Sequence, residues 1–303
     1  MRFNVKAWKA ELLLFFVTFI WGGTFIFTKI GLQDTTPELY VTIRFSIALI
    51  LALIIFGNKF KKIKKEIIIQ GLTLGLIFGG GFVLQTEGLK LTSVTKSAFI
   101  TGMSVVFTPF VFKLIRKSNV QYWSKIGIII AFFGLWLFTN PKIDSINFGD
   151  FITLISTLFW AFYIVLMDVF TKDKDSVNET IQLVILQLIG TITVALISHL
   201  ILYKTNFYLN LSNNLFVSLA YNGILASFIL TFIHTSFQRY TTPVKAALIF
   251  SLEPVVASVA AVLALNEILN GREYIGAIIL FIGVMTSETG EFISNKLKCL
   301  FRK

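Results

Sequence analysis

Long apolar runs recur along almost the whole of this 303-residue chain, and they constrain its fold more than any other feature. The runs are about 17 to 25 residues long, which in helical form is enough to cross roughly 30 Å of hydrocarbon. Charged residues make up only 14% of the chain, whereas a soluble domain needs about 25% to cover its surface. The sequence therefore predicts an all-α integral membrane protein.

We predict ten transmembrane helices, joined by connections that are too short to hold a folded domain outside the membrane. The predicted spans are residues 12–30, 39–56, 67–84, 97–115, 122–138, 148–170, 181–203, 215–237, 244–265 and 274–287. Any function must then reside within the helical bundle itself.

The positive charges are distributed unevenly between the two sides of this predicted bundle. The N-terminal side carries 20 Lys and Arg residues and the other side carries six, while Arg44 lies inside the second span. Positively charged connections are retained in the cytoplasm, so we predict a multi-pass protein of the cytoplasmic membrane with both termini in the cytoplasm. Topology thus accounts for the net charge of +11, and no nucleic-acid partner is expected.

The two halves of the chain resemble each other in sequence. A shift of 149 residues without a gap superposes residues 84–100 on 233–249 and residues 125–134 on 274–283. Polar and glycine positions match in order, which chance similarity between apolar helices does not explain. The sequence therefore indicates an internal duplication.

The duplication extends to the first and sixth helices, where a shift of 139 residues pairs Trp21 with Trp160. We predict one repeat at residues 11–140 and a second at residues 148–290. Because each repeat holds five helices, an odd number, the two must lie in the membrane with opposite orientations. Inverted repeats are typical of transporters that hold a solute near the midplane and expose it to each side in turn.

Several motifs are spread through both halves of the chain. They are FIWGGTFIFTKI in the first helix, QTEGLKLTSVTKSAFITG across the third and fourth, and FSLEPVVASVAAVLALNEILNGREYIGAIILFIGV across the last two. With these motifs the chain resembles the EamA-type proteins of the drug/metabolite transporter superfamily. The resemblance implies a ten-helix fold with a central cavity lined by the first, third, fourth, sixth, eighth and ninth helices. It also implies transport of an amino acid, a related metabolite or a drug-like solute, without identifying which.

Prolines and aromatic residues on these helices are candidates for the cavity wall. Pro109 and Pro254 each free a backbone carbonyl within a span, and the matched Trp21 and Trp160 suit aromatic or apolar solutes. Structural kinks and aromatic packing are the alternatives. Because Pro254 aligns four residues away from Pro109, we expect the two bends to differ in height. The full candidate set is Trp21, Thr24, Arg44, Gln85, Thr101, Pro109, Trp160, Tyr163, His234, Glu253 and Pro254.

Ionisable side chains inside a span cost about 2.5 to 3.5 kcal/mol at the membrane centre, so they are functional candidates. Glu253 is predicted to lie deepest, where it takes up a coupling proton, pairs with a substrate ammonium, or only pins the kinked helix. Arg44 is expected to pair with a carboxylate or with helix-end carbonyls. Lys96 and Lys245 begin the fourth and ninth helices on opposite faces, and they are candidates for gating ion pairs or for attracting substrate.

The sequence contains no HExxH, GxSxG or Walker A motif, and these are the patterns that mark common metal, nucleophile and nucleotide sites. His199 and His234 fall near opposite faces, and Cys299 is the one cysteine. We therefore expect no metal, no cofactor and no enzymatic activity. We predict a secondary transporter or facilitator, monomeric or homodimeric, whose partners are lipid and a small-molecule solute. A channel or scaffold is an alternative, and a lipid-acting membrane enzyme is a weaker one.

Overall fold

The computed structural model describes residues 6–139, 147–172, 176–204, 207–265 and 271–300. Within these ranges the chain forms helices and no strand, apart from an isolated antiparallel bridge between Thr35 and Leu209. The end of the predicted first repeat at residue 140 lies outside the described residues. So do five of the counted cations, Arg2, Lys142, Lys174, Arg302 and Lys303.

Ten helical spans follow one another in the described part of the chain, and three of them are interrupted. The uninterrupted spans are α1 (Ala7–Gly31), α2 (Pro37–Phe56), α3 (Lys65–Leu91), α5 (Tyr122–Thr139), α6 (Phe148–Thr171), α7 (Val177–Tyr203) and α10 (Gly271–Leu300). The interrupted spans are α4 (Val94–Gly102, called α4a, then Ser104–Arg116, α4b), α8 (Asn213–Leu219, a π-helical segment Ala220–Ile229, then Leu230–Phe237) and α9 (Pro243–Phe250, called α9a, then Glu253–Leu265, α9b). The predicted all-α membrane fold of ten helices in two inverted repeats is confirmed.

Large apolar side chains cover the outside of this bundle. Ile54 on α2, Phe110 on α4b and Ile201 on α7 are 74%, 70% and 71% exposed. Eight of the described spans, all except α5 and α10, are long and apolar enough to cross a membrane. An outer surface of this kind is stable only against lipid, so the chain is a multi-pass membrane protein.

The shorter span α5 packs lengthwise against α10 through glycines on both helices. A Cβ atom added at Gly134 would collide with the backbone of Leu280, and one added at Gly276 would collide with the backbone of Phe138. Small residues allow two helix backbones to approach closely where lipid gives no hydrophobic driving force for association. The last helix of each repeat is therefore held by the last helix of the other.

A second glycine face joins α3 of the first repeat to α7 of the second. Gly71, Gly75 and Gly79 lie four residues apart, and a Cβ atom added at Gly75 would lie 2.5 Å from the carbonyl oxygen of Gln187 and 2.8 Å from the Cα atom of Gly190. The neighbour is backbone, which cannot rotate away as a side chain can.

Gly75→Ala is expected to destabilise the protein by about 1–3 kcal/mol, because a methyl group forced into a packed interface displaces backbone. Gly57→Ala is the matched control, since nothing lies within 4 Å of a Cβ atom at that position. Thermal unfolding in detergent measures both variants. Equal melting temperatures for the two would show that the interface between α3 and α7 relaxes to admit the methyl group.

The interruptions of α4 and α9 occur at equivalent positions of the two repeats. In α4, the N–H of Met103 donates to the carbonyl of Ile100 at 3.1 Å. In α9, the N–H of Leu252 donates to the carbonyl of Ile249 at 3.2 Å, and these two residues follow Met103 and Ile100 by the same 149 positions. Both helices thus tighten by one i→i+3 bond at the same place.

The expectation that the two bends differ in height is wrong. It rested on the unmatched positions of Pro109 and Pro254, but Pro109 lies within the continuous helix α4b. Pro254, in contrast, lies in the first turn of α9b, directly after its interruption. A Cβ atom on Gly102 would lie 3.2 Å from Cγ of Pro254, so the two interruptions contact each other across the repeats.

Candidate functional site

A cavity of about 60 Å³ lies in the centre of the bundle, between the two repeats. One buried water needs about 10–15 Å³ measured in this way, so the space corresponds to about four to six waters or one small solute. Its lining residues come from both repeats and are Trp21, Thr24, Phe25, Arg44, Phe78, Phe82, Gln85, Thr101, Ser104, Trp160, Tyr163, Ile164, His234, Phe250 and Glu253.

Most of this lining consists of residues that the internal duplication relates to one another. The shift of 139 residues pairs positions on α1 with positions on α6, and the shift of 149 pairs positions on α3 and α4 with positions on α8 and α9. The pairs are Trp21 with Trp160, Thr24 with Tyr163, Phe25 with Ile164, Gln85 with His234, Thr101 with Phe250, and Ser104 with Glu253. The cavity therefore surrounds the axis that relates the two repeats.

Nine of the eleven candidate cavity residues lie on this lining, and Pro109 and Pro254 do not. Pro254 packs toward Gly102 instead, and Pro109 lies in α4b beyond the interruption. Neither proline therefore faces the cavity. The part that the nine residues play in binding stays a prediction.

Sequence reasoning missed six lining residues, of which Ser104 and Phe250 were detectable. Each is the repeat partner of a residue that was selected, Glu253 in the first case and Thr101 in the second. Phe25 and Ile164 form a pair in which neither member was selected. For Phe78 and Phe82 on α3 no signal was available, because an apolar side chain looks the same in sequence whether it faces lipid or a cavity.

Arg44 reaches the cavity from α2 and is 2% exposed. Its Nε donates to Oγ of Ser227 at 2.7 Å, and its guanidinium carbon lies 4.6 Å from the ring centroid of Phe82 and 5.1 Å from that of Phe45. The expected carboxylate or carbonyl partner is replaced by a hydroxyl and two rings, because the π-helical segment of α8 places Ser227 opposite α2. Cation–π contacts of this kind contribute about 0.5–2 kcal/mol each.

Glu253 begins α9b at the interruption and is 8% exposed. Among the described residues no ion pair joins it to Arg44 or to any other cation. A carboxylate at a helix N-terminus is favoured by the helix dipole. The cavity therefore contains one guanidinium and one carboxyl group that do not neutralise each other directly.

A hydrogen-bond network fixes the polar side chains of the cavity wall. Gln85 donates to Oγ1 of Thr101 at 2.9 Å. Gln238 donates its Nε2 to the carbonyl of Ile164 at 2.6 Å, which turns its amide oxygen toward Nε2 of His234. An amide oxygen only accepts, so Nε2 of His234 must carry the proton in this bond.

Aromatic rings enclose His234 on three sides. The ring centroids of Trp21, Tyr163 and Phe250 lie 5.2, 5.5 and 5.1 Å from that of His234. The cavity wall is therefore largely apolar, with a few oriented polar groups, as is usual for small-molecule sites. Nowhere in the described ranges do three or more His, Cys, Asp or Glu side chains form a group that could hold a metal ion.

Two ion pairs lie at opposite ends of the bundle, each beside the start of an interrupted helix. We call Thr92, Lys96 and Asp150 the first triad. Nζ of Lys96 lies 3.4 Å from Oδ2 of Asp150, and Oγ1 of Thr92 donates to Oδ1 of the same residue at 2.5 Å. Asp150 also completes the capping box of α6 with Asn147. The triad thus joins the start of α4 to the start of α6.

The second triad consists of Thr241, Lys245 and Glu11. Nζ of Lys245 lies 3.5 Å from Oε1 of Glu11, and Oγ1 of Thr241 donates to the same atom at 2.8 Å. Thr241 and Lys245 lie 149 positions after Thr92 and Lys96, and Glu11 lies 139 positions before Asp150. The same three-residue connection therefore occurs once at each end of the bundle, and each copy links the two repeats.

Comparisons with known proteins agree with this architecture. A model described as the EamA-like transporter family matches residues 8–140 and 147–288. An uncharacterized transporter of Archaeoglobus fulgidus is 28% identical over 283 residues, which cover 93% of this chain and 86% of that protein. The uncharacterized transporter YyaM of Bacillus subtilis is 27% identical over 277 residues, which cover 88% of this chain and 89% of that protein.

A crystal structure of another protein superposes on this fold with a TM-score of 0.76. The alignment covers 97% of this chain and 99% of that chain at 13% sequence identity. At this level of identity the similarity shows a common fold and nothing about the solute.

Proposed function

The chain belongs to the EamA-like transporter family, and from that premise we propose that it moves a small metabolite across the cytoplasmic membrane by alternating access. The observation that carries the proposal is the cavity whose lining is built mainly from repeat-related pairs. In an inverted-repeat transporter the solute site lies where the repeats meet, and an exchange of their conformations exposes it to the other side.

The chemistry of the lining supports a solute with an apolar or aromatic body and charged groups of both signs. Trp21, Trp160 and Tyr163 offer ring faces and edges, while Arg44 and Glu253 offer a cation and an acid. An amino acid or a related metabolite has this combination of groups. In a low-dielectric site both charges must be paired or neutral, and a zwitterionic solute would supply the missing partners.

The two triads and the two interruptions support a mechanism for the exchange. Opening one end of the bundle would break its triad while the other triad holds the opposite end closed. The tightened turns at Met103 and Leu252 provide matched points at which α4 and α9 can bend. Because the two sets are equivalent, the outward-facing and inward-facing forms would have similar free energies, which reversible transport requires.

We propose that both termini lie in the cytoplasm, on the basis of the charge count. Exposed positions allow a test in a Cys299→Ser background: Asn58 and Asn119 on the N-terminal side and Leu211 on the other. Cysteine at Leu211 is expected to react with an impermeant thiol reagent in intact cells, and cysteine at Asn58 or Asn119 only after permeabilisation. The reverse pattern would overturn the orientation.

The function itself is tested with purified protein in liposomes and a panel of labelled amino acids and metabolites. We expect saturable uptake of one solute class and faster uptake when the same unlabelled solute is present inside, since a carrier exchanges solute and a channel does not. Imposing a proton gradient separates coupled from facilitated transport. Flux that neither saturates nor responds to internal solute would favour a channel, and no flux of any solute would contradict the proposal.

A further inference from the structure

A second group of ionisable side chains, around the buried Glu38, lies away from the cavity, at the end of the bundle that the charge count places outside the cell. Glu38 lies in the first turn of α2, Glu87 and Lys90 lie in the last turns of α3, and Tyr203 ends α7. The first two helices belong to the first repeat and α7 belongs to the second. This group is therefore at the interface where the repeats meet.

The Glu38 carboxyl has no hydrogen-bond donor although it is completely buried. Its exposed fraction is 0%, and neither of its side-chain oxygens receives a bond from an N–H or O–H group. The Glu87 carboxyl lies next to it. Two ionised carboxylates would offer each other only acceptors and would also repel each other.

Glu87, in contrast, has neighbours that stabilise a negative charge. Oε1 of Glu87 accepts a hydrogen bond from the hydroxyl of Tyr203 at 3.2 Å. Nζ of Lys90 lies 3.5 Å from the same hydroxyl and 5.8 Å from the centroid of its ring. The Tyr203 hydroxyl thus donates to Glu87, while the Glu38 carboxyl beside it has no donor.

Three further ionisable groups at this end, Lys29, His199 and Asp34, have partners of their own. Lys29 on α1 donates to the carbonyls of Leu89, Lys90 and Thr92. Nδ1 of His199 on α7 bonds to Oγ1 of Thr36, and its ring stacks on Tyr203. Asp34 accepts from Asn210 and Ser212.

We propose that Glu38 and Glu87 form a proton-binding site. One proton, taken up from water, is bound to the Glu38 carboxyl, and the resulting O–H group donates a hydrogen bond to the Glu87 carboxylate. The proton supplies the hydrogen-bond donor that the buried Glu38 carboxyl lacks. Resting on the proposed function, the site would couple proton binding to transport. When the repeats separate at this end, water would reach both carboxylates and the proton would leave, and closure would require one proton to be taken up again.

Infrared spectroscopy of the purified full-length protein tests the site without any solute, because a protonated carboxyl has a carbonyl band that a carboxylate lacks. At neutral pH, Glu38→Gln is expected to remove one such band. Glu87→Gln is expected to remove the same band, since the new amide donates to Glu38 and allows it to ionise. Glu66→Gln, at the exposed opposite end of α3, is the control and should leave the band unchanged.

A band that persists in both Glu38→Gln and Glu87→Gln would overturn the proposal. So would a band that appears only when Na⁺ is replaced by choline, since the site would then hold a metal cation. In liposomes, the Glu38→Gln variant is expected to keep solute exchange. Its net uptake should no longer depend on the pH of the solution on the side of the membrane where Glu38 lies. If net uptake by the variant depended on that pH as the wild type does, the coupling would be refuted. If the wild type moved no solute, the proposed function would fail while the infrared result would stand.

Discussion

A disulfide between cysteines at positions 92 and 150 is expected to abolish transport and to leave the cavity open only toward the opposite end. The pair Thr92→Cys and Asp150→Cys replaces two side chains of the first triad that already touch, with Oγ1 and Oδ1 2.5 Å apart. The bond would hold α4 of the first repeat against α6 of the second. Alternating access requires these helices to separate once in every cycle.

The mirror-image lock uses Thr241→Cys and Glu11→Cys in the second triad, where Oγ1 and Oε1 lie 2.8 Å apart. Because a cysteine is shorter than a glutamate, a short reducible bifunctional thiol reagent joins the two sulfur atoms. It is expected to abolish transport equally while trapping the form that opens toward the other end. Both measurements use proteoliposome flux in the Cys299→Ser background, before and after addition of a reductant. Each locked protein should bind labelled solute from one side of the membrane only, and this side should differ between the two locks. Such binding would identify the trapped states.

The single variant Asp150→Cys is the necessary control for the first lock. Asp150 completes the capping box of α6 with Asn147, and loss of a helix cap costs about 0.5–2 kcal/mol. A loss of flux already present in the single variant would reflect this cap and not the crosslink. If either double variant transported solute at the full rate after its crosslink had formed, the two repeats would not exchange conformations during transport.

Hydropathy predicted the number and order of the helices but underestimated their lengths. The third span was predicted at residues 67–84, and the structure extends α3 over Lys65–Leu91. Four of the seven residues QTEGLKL, which are added at the end of this helix, are polar or charged, and the segment remains helical because it packs against neighbouring helices. Hydropathy identifies the part of a helix that lies in the hydrocarbon of the membrane. It does not identify the helical turns that extend beyond the hydrocarbon.

The triads show what the duplication could have predicted and what it could not. Lys96 and Lys245 were selected as a matched pair, and the shift of 139 residues also aligns Glu11 with Asp150. Two matched cations and two matched acids were thus available in the sequence as candidate ion pairs. Their contact depends on how α4 packs against α6, which no single-sequence pattern encodes.

The position of the interruption in α4 was mispredicted for a physical reason. A proline removes one hydrogen bond, and the sequence therefore placed the bend of α4 at Pro109. The structure interrupts α4 at Met103, next to Gly102, which approaches Pro254 of the other repeat. Contact between the repeats therefore determines the bend, and local propensity alone does not.

Glu253→Gln is expected to insert and fold normally but to lose transport or its pH dependence. Glu253 begins α9b directly after the interruption, lines the cavity and has no ion pair among the described residues. The proposed role is to receive a solute ammonium or a coupling proton. The amide of glutamine keeps the shape and most of the hydrogen bonding of the carboxyl group but cannot ionise.

The size of the effect follows from the kind of bond that is lost. A hydrogen bond to a charged group contributes about 1.5–3 kcal/mol, so removing it from a bound cationic solute should weaken binding about 10- to 100-fold. Concentration-dependent uptake in liposomes over a range of pH, with Glu66→Gln as the control far from the cavity, measures this change. A well-expressed Glu253→Gln protein with unchanged flux and an unchanged pH profile would leave Glu253 a packing residue at the start of α9b, and the site that binds the solute's cationic group would have to lie elsewhere on the cavity wall.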